Sequence, residues 1–196
     1  LMFDKLKSLD IELLIFLNNL GSEQFDFLWL IITNKYTWIP LYIFLIYLHL
    51  NSIRLKIRSI FLFFFVIGLL ILFTDQSSNL SKHFFEILRP CNDESVSGLI
   101  RVVKTGCGGL YGFFSAHAAN SFAIATFFYL ILNKYNRIGK FLFIWATVVS
   151  YSRVYCGVHF PSDIVVGGAY GLIAGYIAYV FYQNLMRNQS FFSKSE

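Results

Sequence analysis

The stretch Ile60–Phe73, IFLFFFVIGLLILF, decides the fold. It carries no charge, and together with its flanks from Ile57 to Leu80 it is long enough for the roughly 20 helical residues that crossing a hydrocarbon layer takes. Further apolar runs recur at Ser121–Leu132, Phe141–Val149 and Ile164–Phe181. Of the 196 residues 57% are hydrophobic, 19% aromatic and only 14% charged, too little charge to cover a soluble domain of this length. The chain reads as all-α: a polytopic membrane helix bundle of about five to six transmembrane helices.

Working outward, residues 3–20 read as an amphipathic helix. Leu6, Leu9, Leu13, Phe16, Leu17 and Leu20 share one face, Asp4, Lys7, Asn18 and Asn19 lie away from it, and Asp10 sits at its edge. Its apolar stretch is short and charged, which places it in the plane of the membrane interface. A short piece from Asp26 to Thr33 leads through Asn34-Lys35-Tyr36 into a first span at Trp38–Leu50. The second span, Ile57–Leu80, is expected to continue as helix through Lys82 to Leu88, with Pro90 as its stop. The remaining spans fall at His117–Leu132, Ile138–Tyr155 and Ser162–Tyr182, before a frayed polar tail from Gln183. The chain is thus expected to form one domain over 1–196: an interfacial part at 1–35, a transmembrane core at 36–183 and a cytoplasmic tail at 184–196. No cleavable signal peptide is expected, because Asp4, Asp10 and Glu12 interrupt the N-terminus and no small-residue cleavage pattern follows.

Alternating the spans brings Lys82, Arg89, Ser115, His117, Arg153 and His159 to one side of the membrane. The other side receives Arg54, Lys56 and Arg58, then Lys134, Arg137 and Lys140, then Arg187 and Lys194. The two short loops there hold three basic residues each and no acid, so that side is expected to be cytoplasmic and the motif side extracytoplasmic. The net charge of +5 does not point to nucleic acid, since no basic run interleaves with exposed aromatics; the 23 Phe and 12 Tyr suit lipid contact and interfacial belts. Cys91 and Cys107 share the long outer loop 91–113. In an oxidising compartment a bridge between them would close a loop of about 17 residues, worth roughly 3 kcal/mol; the alternative is three independent small apolar side chains, Cys156 included.

The polar residues at the helix ends carry the chemistry. Lys82 and Arg89 are seven apart, about 20° short of two helical turns, so on one helix both leave the same face. An ammonium and a planar guanidinium suit phosphate oxygens. Ser115 and the N–H groups that follow it open a helix, where unpaired donors and the dipole favour an anion. His117, beside them, can give a proton to a departing oxygen. In Arg153-x5-His159-x3-Asp163, Gly157 permits a tight reversal, Pro161 suits a first helical turn, and Asp163 falls four residues after His159. A carboxylate on one ring nitrogen fixes the tautomer and frees the other nitrogen as a nucleophile. His117, His159 and Asp163 are also conceivable metal ligands, but Lys82, Arg89 and Arg153 bring three cations to the same rim, which suits an anion.

Lys82-x6-Arg89-Pro90, Ser115-Ala116-His117 and Ser152-Arg153-x5-His159-x3-Asp163 resemble the three signature motifs of the type 2 phosphatidic acid phosphatase superfamily. The resemblance covers Lys82 to Asp163. It implies a lipid phosphate phosphatase in which His159 is the nucleophile, Asp163 orients it, and His117 protonates the leaving oxygen and later activates water. Lys82, Arg89, Ser115, Arg153 and the backbone N–H at Ala116 would bind the phosphoryl oxygens, with no metal or other cofactor. In the second motif the family commonly has Pro-Ser-Gly-His where this chain has Phe114-Ser115-Ala116-His117; Ser115 and His117 are kept, so activity is expected to survive. The resemblance implies a phospholipid or polyprenyl phosphate as substrate, in a bacterial inner membrane with the site on the periplasmic face. Compact size favours undecaprenyl diphosphate; phosphatidylglycerophosphate, phosphatidic acid and lipid A phosphate are alternatives, as is transfer of the phosphate to a second lipid. A lipid carrier or channel with a degenerate site is the non-enzymatic alternative, which the complete His117, His159 and Asp163 set disfavours.

Overall fold

The computed structural model describes residues 2–53, 57–132 and 136–192. The readings placed on Arg54, Lys56, Lys134 and Lys194, and on the side chain of Arg137, lie outside what it describes. Among the described residues eight α-helices follow in order: α1 Met2–Asn19, α2 Glu23–Thr33, α3 Ile39–Ser52, α4 Ile57–Phe85, α5 Glu94–Ser97, α6 Ala116–Ile131, α7 Asn136–Tyr155 and α8 Pro161–Phe192. Among the described residues there is no strand, only an isolated bridge between Leu88 and Tyr111. The all-helical membrane bundle is what the sequence led one to expect.

By length and apolarity, α4 and the Pro161–Arg187 part of α8 are fit to cross a membrane. The α2–α3 pair makes a third crossing if its two arms, bent by 63°, are taken together. Among the described residues, length and composition thus identify up to three crossings, where five to six were expected. At 16 residues α6 is short, and α7 carries Lys140 and Arg153.

The centre of the bundle is α6, packed between α8 and α7. Its fit against α8 depends on glycine. A Cβ at Gly167, Gly171 or Gly175 would come within 2.6, 2.3 and 2.5 Å of the carbonyls of Ser115, Ala119 and Ala123. Glycines four apart form a groove along α8 into which the α6 backbone settles, as in small-residue packing of membrane helices. This spacing is legible in the sequence and holds the start of α6 directly against the start of α8. Deeper down, Phe63, Leu70, Phe127, Trp145 and Tyr182 fill the core, while Phe61, Phe65, Leu72 and Phe73 of α4 face outward.

Two expectations fail here. First, α4 ends at Phe85 rather than running to Leu88, and Glu86 turns the chain with φ 49°. Arg89 N–H then donates to the Leu110 carbonyl at 3.0 Å, and Gly112 N–H to the Ile87 carbonyl at 2.8 Å. Proline disfavours helix at the preceding residue, and this short ladder satisfies the backbone instead. Lys82 and Arg89 therefore do not share a helix face. Second, helix continues past Gln183 through Phe192, where a frayed tail was expected.

The polar edge of α1 also behaves differently from a solvated face. Leu6, Leu9, Leu13, Phe16 and Leu20 are exposed, whereas Leu14 and Asn18 are fully buried. Leu14 and Asn18, with Ile11 and Leu17 partly buried, face the protein, while Asp4, Lys7 and Asn19 stay exposed. Asn18 Nδ2 donates to the carbonyls of Arg101 (3.0 Å), Val154 (3.1 Å) and Tyr155 (2.9 Å), and its Oδ1 accepts from Arg101 N–H at 2.7 Å. Asp10 meanwhile accepts from the main-chain N–H and hydroxyl of Ser162, at the start of α8, where a carboxylate suits the helix dipole. Together they brace the α7–α8 turn. Asn18→Leu leaves several buried main-chain groups without partners and is expected to destabilise the protein by roughly 3 kcal/mol. Thermal unfolding in detergent, with Asn18→Ser as the milder comparison, checks it.

Candidate active site

At the α7–α8 turn, Gly157 adopts φ 72° and its Cα passes so close to Arg101 that a Cβ would lie 2.6 Å from that carbonyl. The turn carries His159, 2% exposed, into the bundle. Its Nδ1 meets Asp163 Oδ2 at 3.0 Å, and the same oxygen accepts the Phe160 N–H at 3.1 Å. On the other edge of the ring, Arg89 Nη1 lies 3.1 Å from Nε2 and also donates to the Val158 carbonyl at 3.2 Å. Guanidinium only donates and carboxylate only accepts, so the ring is a neutral imidazole with its proton on Nδ1 and its lone pair on Nε2 toward Arg89. Burial, then Arg89, Arg153, Lys82 and Lys104 in that order, hold the pKa of His159 well below the usual 6.5.

Arg153, 3% exposed, comes up from the end of α7. Its Nη1 donates to Thr33 Oγ1 at 2.7 Å, and its buried Nε has no partner among the described residues. Ser115 is the N-cap of α6, yet its buried Oγ has no hydrogen-bond partner among the described residues. Its main-chain N–H donates to the Asp163 carbonyl at 3.1 Å, tying the two helix starts together. Ala116 and His117 follow in the first turn of α6, where N–H groups have no carbonyl within the helix. Lys82 lies within electrostatic reach of Arg89, Asp75, Asp163 and Arg153. Buried, unpaired donors surrounded by four cationic side chains make a site for a small anion.

The structure therefore gathers His159, Asp163, Arg89, Arg153, Ser115 and Ala116, with Lys82 and His117 at the margin. It also joins Cys91 to Cys107 in a disulfide, with Cα atoms 6.0 Å apart. This fastens the segment after Arg89 to the loop leading toward Ser115.

Two residues escaped the sequence reading. Lys104, inside the disulfide-closed loop, acts electrostatically on Arg153, Arg89, His117 and His159. Thr33, at the bend between α2 and α3, bonds Arg153 from the N-terminal part of the chain. No local pattern marks it, since a lone threonine at a helix end is unremarkable. Thr33→Val removes the bond but keeps the shape. Because a hydrogen bond to a charged group is worth about 1.5–3 kcal/mol, kcat/KM is expected to fall roughly ten- to hundredfold. Thr33→Ser should keep most of it, and steady-state phosphate release checks both.

Comparison with known proteins decides the family. The PAP2 superfamily matches residues 58–187, a stretch that holds every motif residue. The chain belongs to this superfamily. It is 34% identical over 180 residues to a lipid A 4'-phosphatase of Bacteroides thetaiotaomicron, covering 91% of this chain and 79% of that protein. A lipid A 4'-phosphatase of Porphyromonas gingivalis is 35% identical over 180 residues, covering 87% of this chain and 72% of that protein. Among solved structures, that of Aquifex aeolicus LpxE superimposes with a TM-score of 0.64 at 26% identity, covering 87% of this chain and 94% of that one. This PAP2 chain is accordingly a phosphatase, and a membrane-bound one acting on a lipid phosphate.

Proposed function

We propose that the protein removes a phosphate from a saccharolipid of the lipid A type, through a phosphohistidine on His159, at the outer face of the bacterial inner membrane. The observation that carries the mechanism is the Arg89–His159–Asp163 chain, which leaves the Nε2 lone pair pointing at a cluster of cations. The relatives carry the substrate: both are lipid A 4'-phosphatases, which favours that alternative over undecaprenyl diphosphate.

In this mechanism a phosphoryl oxygen displaces Arg89 from Nε2 and takes its N–H. The freed lone pair attacks phosphorus, the P–O ester bond breaks, and His117 protonates the departing oxygen. Asp163 stabilises the positive charge that grows on the ring. Water, deprotonated by His117, then attacks the phosphohistidine and the P–N bond breaks, restoring His159 and releasing inorganic phosphate. Lys82, Arg89, Arg153, Ser115 Oγ and the N–H groups of Ala116 and His117 hold the equatorial oxygens. Positioning and charge neutralisation are most of what phosphoryl transfer needs.

Several features support the orientation. The disulfide stands at the site end, as an oxidising compartment allows, and the exposed Arg58 and Lys140 lie at the opposite ends of α4 and α7. The proposal keeps α1 in the interface and residues 1–196 as one domain, and it requires the short α6 and the charged α7 to cross as well as α4, α8 and the α2–α3 pair. The test is a panel of purified lipid phosphates in detergent with chelator present: lipid A, undecaprenyl diphosphate, phosphatidic acid and phosphatidylglycerophosphate. Phosphate released fastest from lipid A is the expected result. Faster release from undecaprenyl diphosphate would overturn the substrate, and strict dependence on added magnesium would overturn the mechanism.

A further inference from the structure

Beneath His117 the bundle is hollow. A cavity of about 380 Å³ opens between α3, α4, α6 and α7, with Ala116 and His117 at one end. That lies within the range of about 300–1,000 Å³ usual for small-molecule sites. Asp75 of α4 and Asn120 of α6 line it together, with Asn120 Nδ2 donating to Asp75 Oδ1 at 2.6 Å. The Thr74 hydroxyl bonds Asn120 Oδ1, which fixes the orientation of the amide. Among the described residues no donor is bonded to Asp75 Oδ2. Trp38 and Tyr42 supply aromatic wall, and Lys35 stands beside them.

Asp75 is half-buried, bonded to Asn120 and within electrostatic reach of Lys82, and its Oδ2 remains open to a further donor in the hollow. A carboxylate inside a membrane bundle favours a polar occupant over hydrocarbon. An isoprenoid or acyl chain offers no donor. A pyranose ring offers hydroxyl and amide groups along its edge and a C–H face that lies well against an aromatic ring. Position narrows the choice further. The cavity reaches His117, the group assigned to protonate the departing oxygen, so it is placed to take the group bonded to that oxygen.

We propose that the cavity is the leaving-group subsite and takes the sugar ring that bears the phosphate, with Asp75 and Asn120 bonding the substituents next to the scissile ester. The proposal rests on the saccharolipid phosphatase reading above and deepens it, by assigning the choice of head group to two residues outside the three motifs.

The experiment compares two monoesters in matched detergent, an N-acylglucosamine 4-phosphate and farnesyl phosphate. Wild-type protein is expected to favour the sugar ester at least tenfold in kcat/KM. Asp75→Leu and Asn120→Leu are expected to lower that ratio at least tenfold, with Asp75→Asn in between. A ratio that neither substitution changes, whether the rates hold or fall together, would make the pair a structural clasp and overturn the subsite. Should the variants fail to fold, the wild-type ratio decides alone, since a value near one or in favour of farnesyl phosphate overturns it. Failure of the underlying reading looks different: lipid A itself would go unhydrolysed, whereas failure of the subsite leaves lipid A turnover intact with no preference for the sugar ester.

Discussion

Replacing His159 by Asn should abolish phosphate release, by at least about four orders of magnitude, because the proposed mechanism then loses its nucleophile. Asn retains a hydrogen bond toward Asp163 and packs in much the same space. The loss would therefore report chemistry rather than folding. His117→Asn should fail at a different point. With an aryl phosphate, whose leaving oxygen needs no proton, the first transfer still proceeds while water is no longer activated. Phosphoprotein should then accumulate as an alkali-stable, acid-labile species, absent in His159→Asn. A His159→Asn protein that still turns over would sink the assignment.

The same histidine gives a pH dependence of definite sign. Its folded pKa lies below the ordinary 6.5 of a free imidazole, so the unfolded chain binds the proton more readily. His159 therefore costs no stability above pH 6.5. As pH falls below that value it destabilises the fold by up to about 1.4 kcal/mol per pH unit, until the depressed pKa is reached. Relative to wild type, His159→Asn should gain stability between pH 7 and pH 5. Equally, an acid limb near 6.5 in kcat/KM cannot come from His159.

Arg153→Lys should lower kcat/KM by roughly a thousandfold although the charge is kept. Arg153 is buried and clamped by Thr33 through one nitrogen, leaving its Nε unpaired. A guanidinium so fixed presents two donors in one plane, and the shorter, freely rotating ammonium cannot hold Thr33 and an anion at once. Orthovanadate mimics the five-coordinate phosphorus and should inhibit wild type, with its inhibition constant raised in parallel in Arg153→Lys. If vanadate binds both proteins equally, Arg153 does not contact the transferred group.

Much of the site was legible because its geometry is local. His159 and Asp163 sit four apart across one helix start, and Gly157 and Pro161 mark the turn that presents them. The misreading of Lys82 and Arg89 has the opposite origin. Their spacing fits a helix, and nothing local to residues 82–89 shows that Ile87–Arg89 would rather pair with Leu110–Gly112, over twenty residues away. The role of Asn18 was not legible for a related reason. Its partners lie 83 to 137 residues away, and nothing within residues 3–20 shows that the face holding Leu14 and Asn18 packs on protein while Leu6, Leu9, Leu13 and Phe16 stay exposed.

From the order of its residues alone, this chain reads as a helical membrane protein, and its motif residues point to a cation-rich, histidine-centred anion site. Apolar run length and short-range spacing act within a few turns and require no knowledge of neighbours. Only the folded arrangement decides that Thr33 steadies Arg153, that Asn18 and Asp10 brace the turn bearing His159, and that Asp75 and Asn120 face a hollow under His117. Those contacts join segments 45 to 152 residues apart, and side-chain packing, not sequence pattern, selects them.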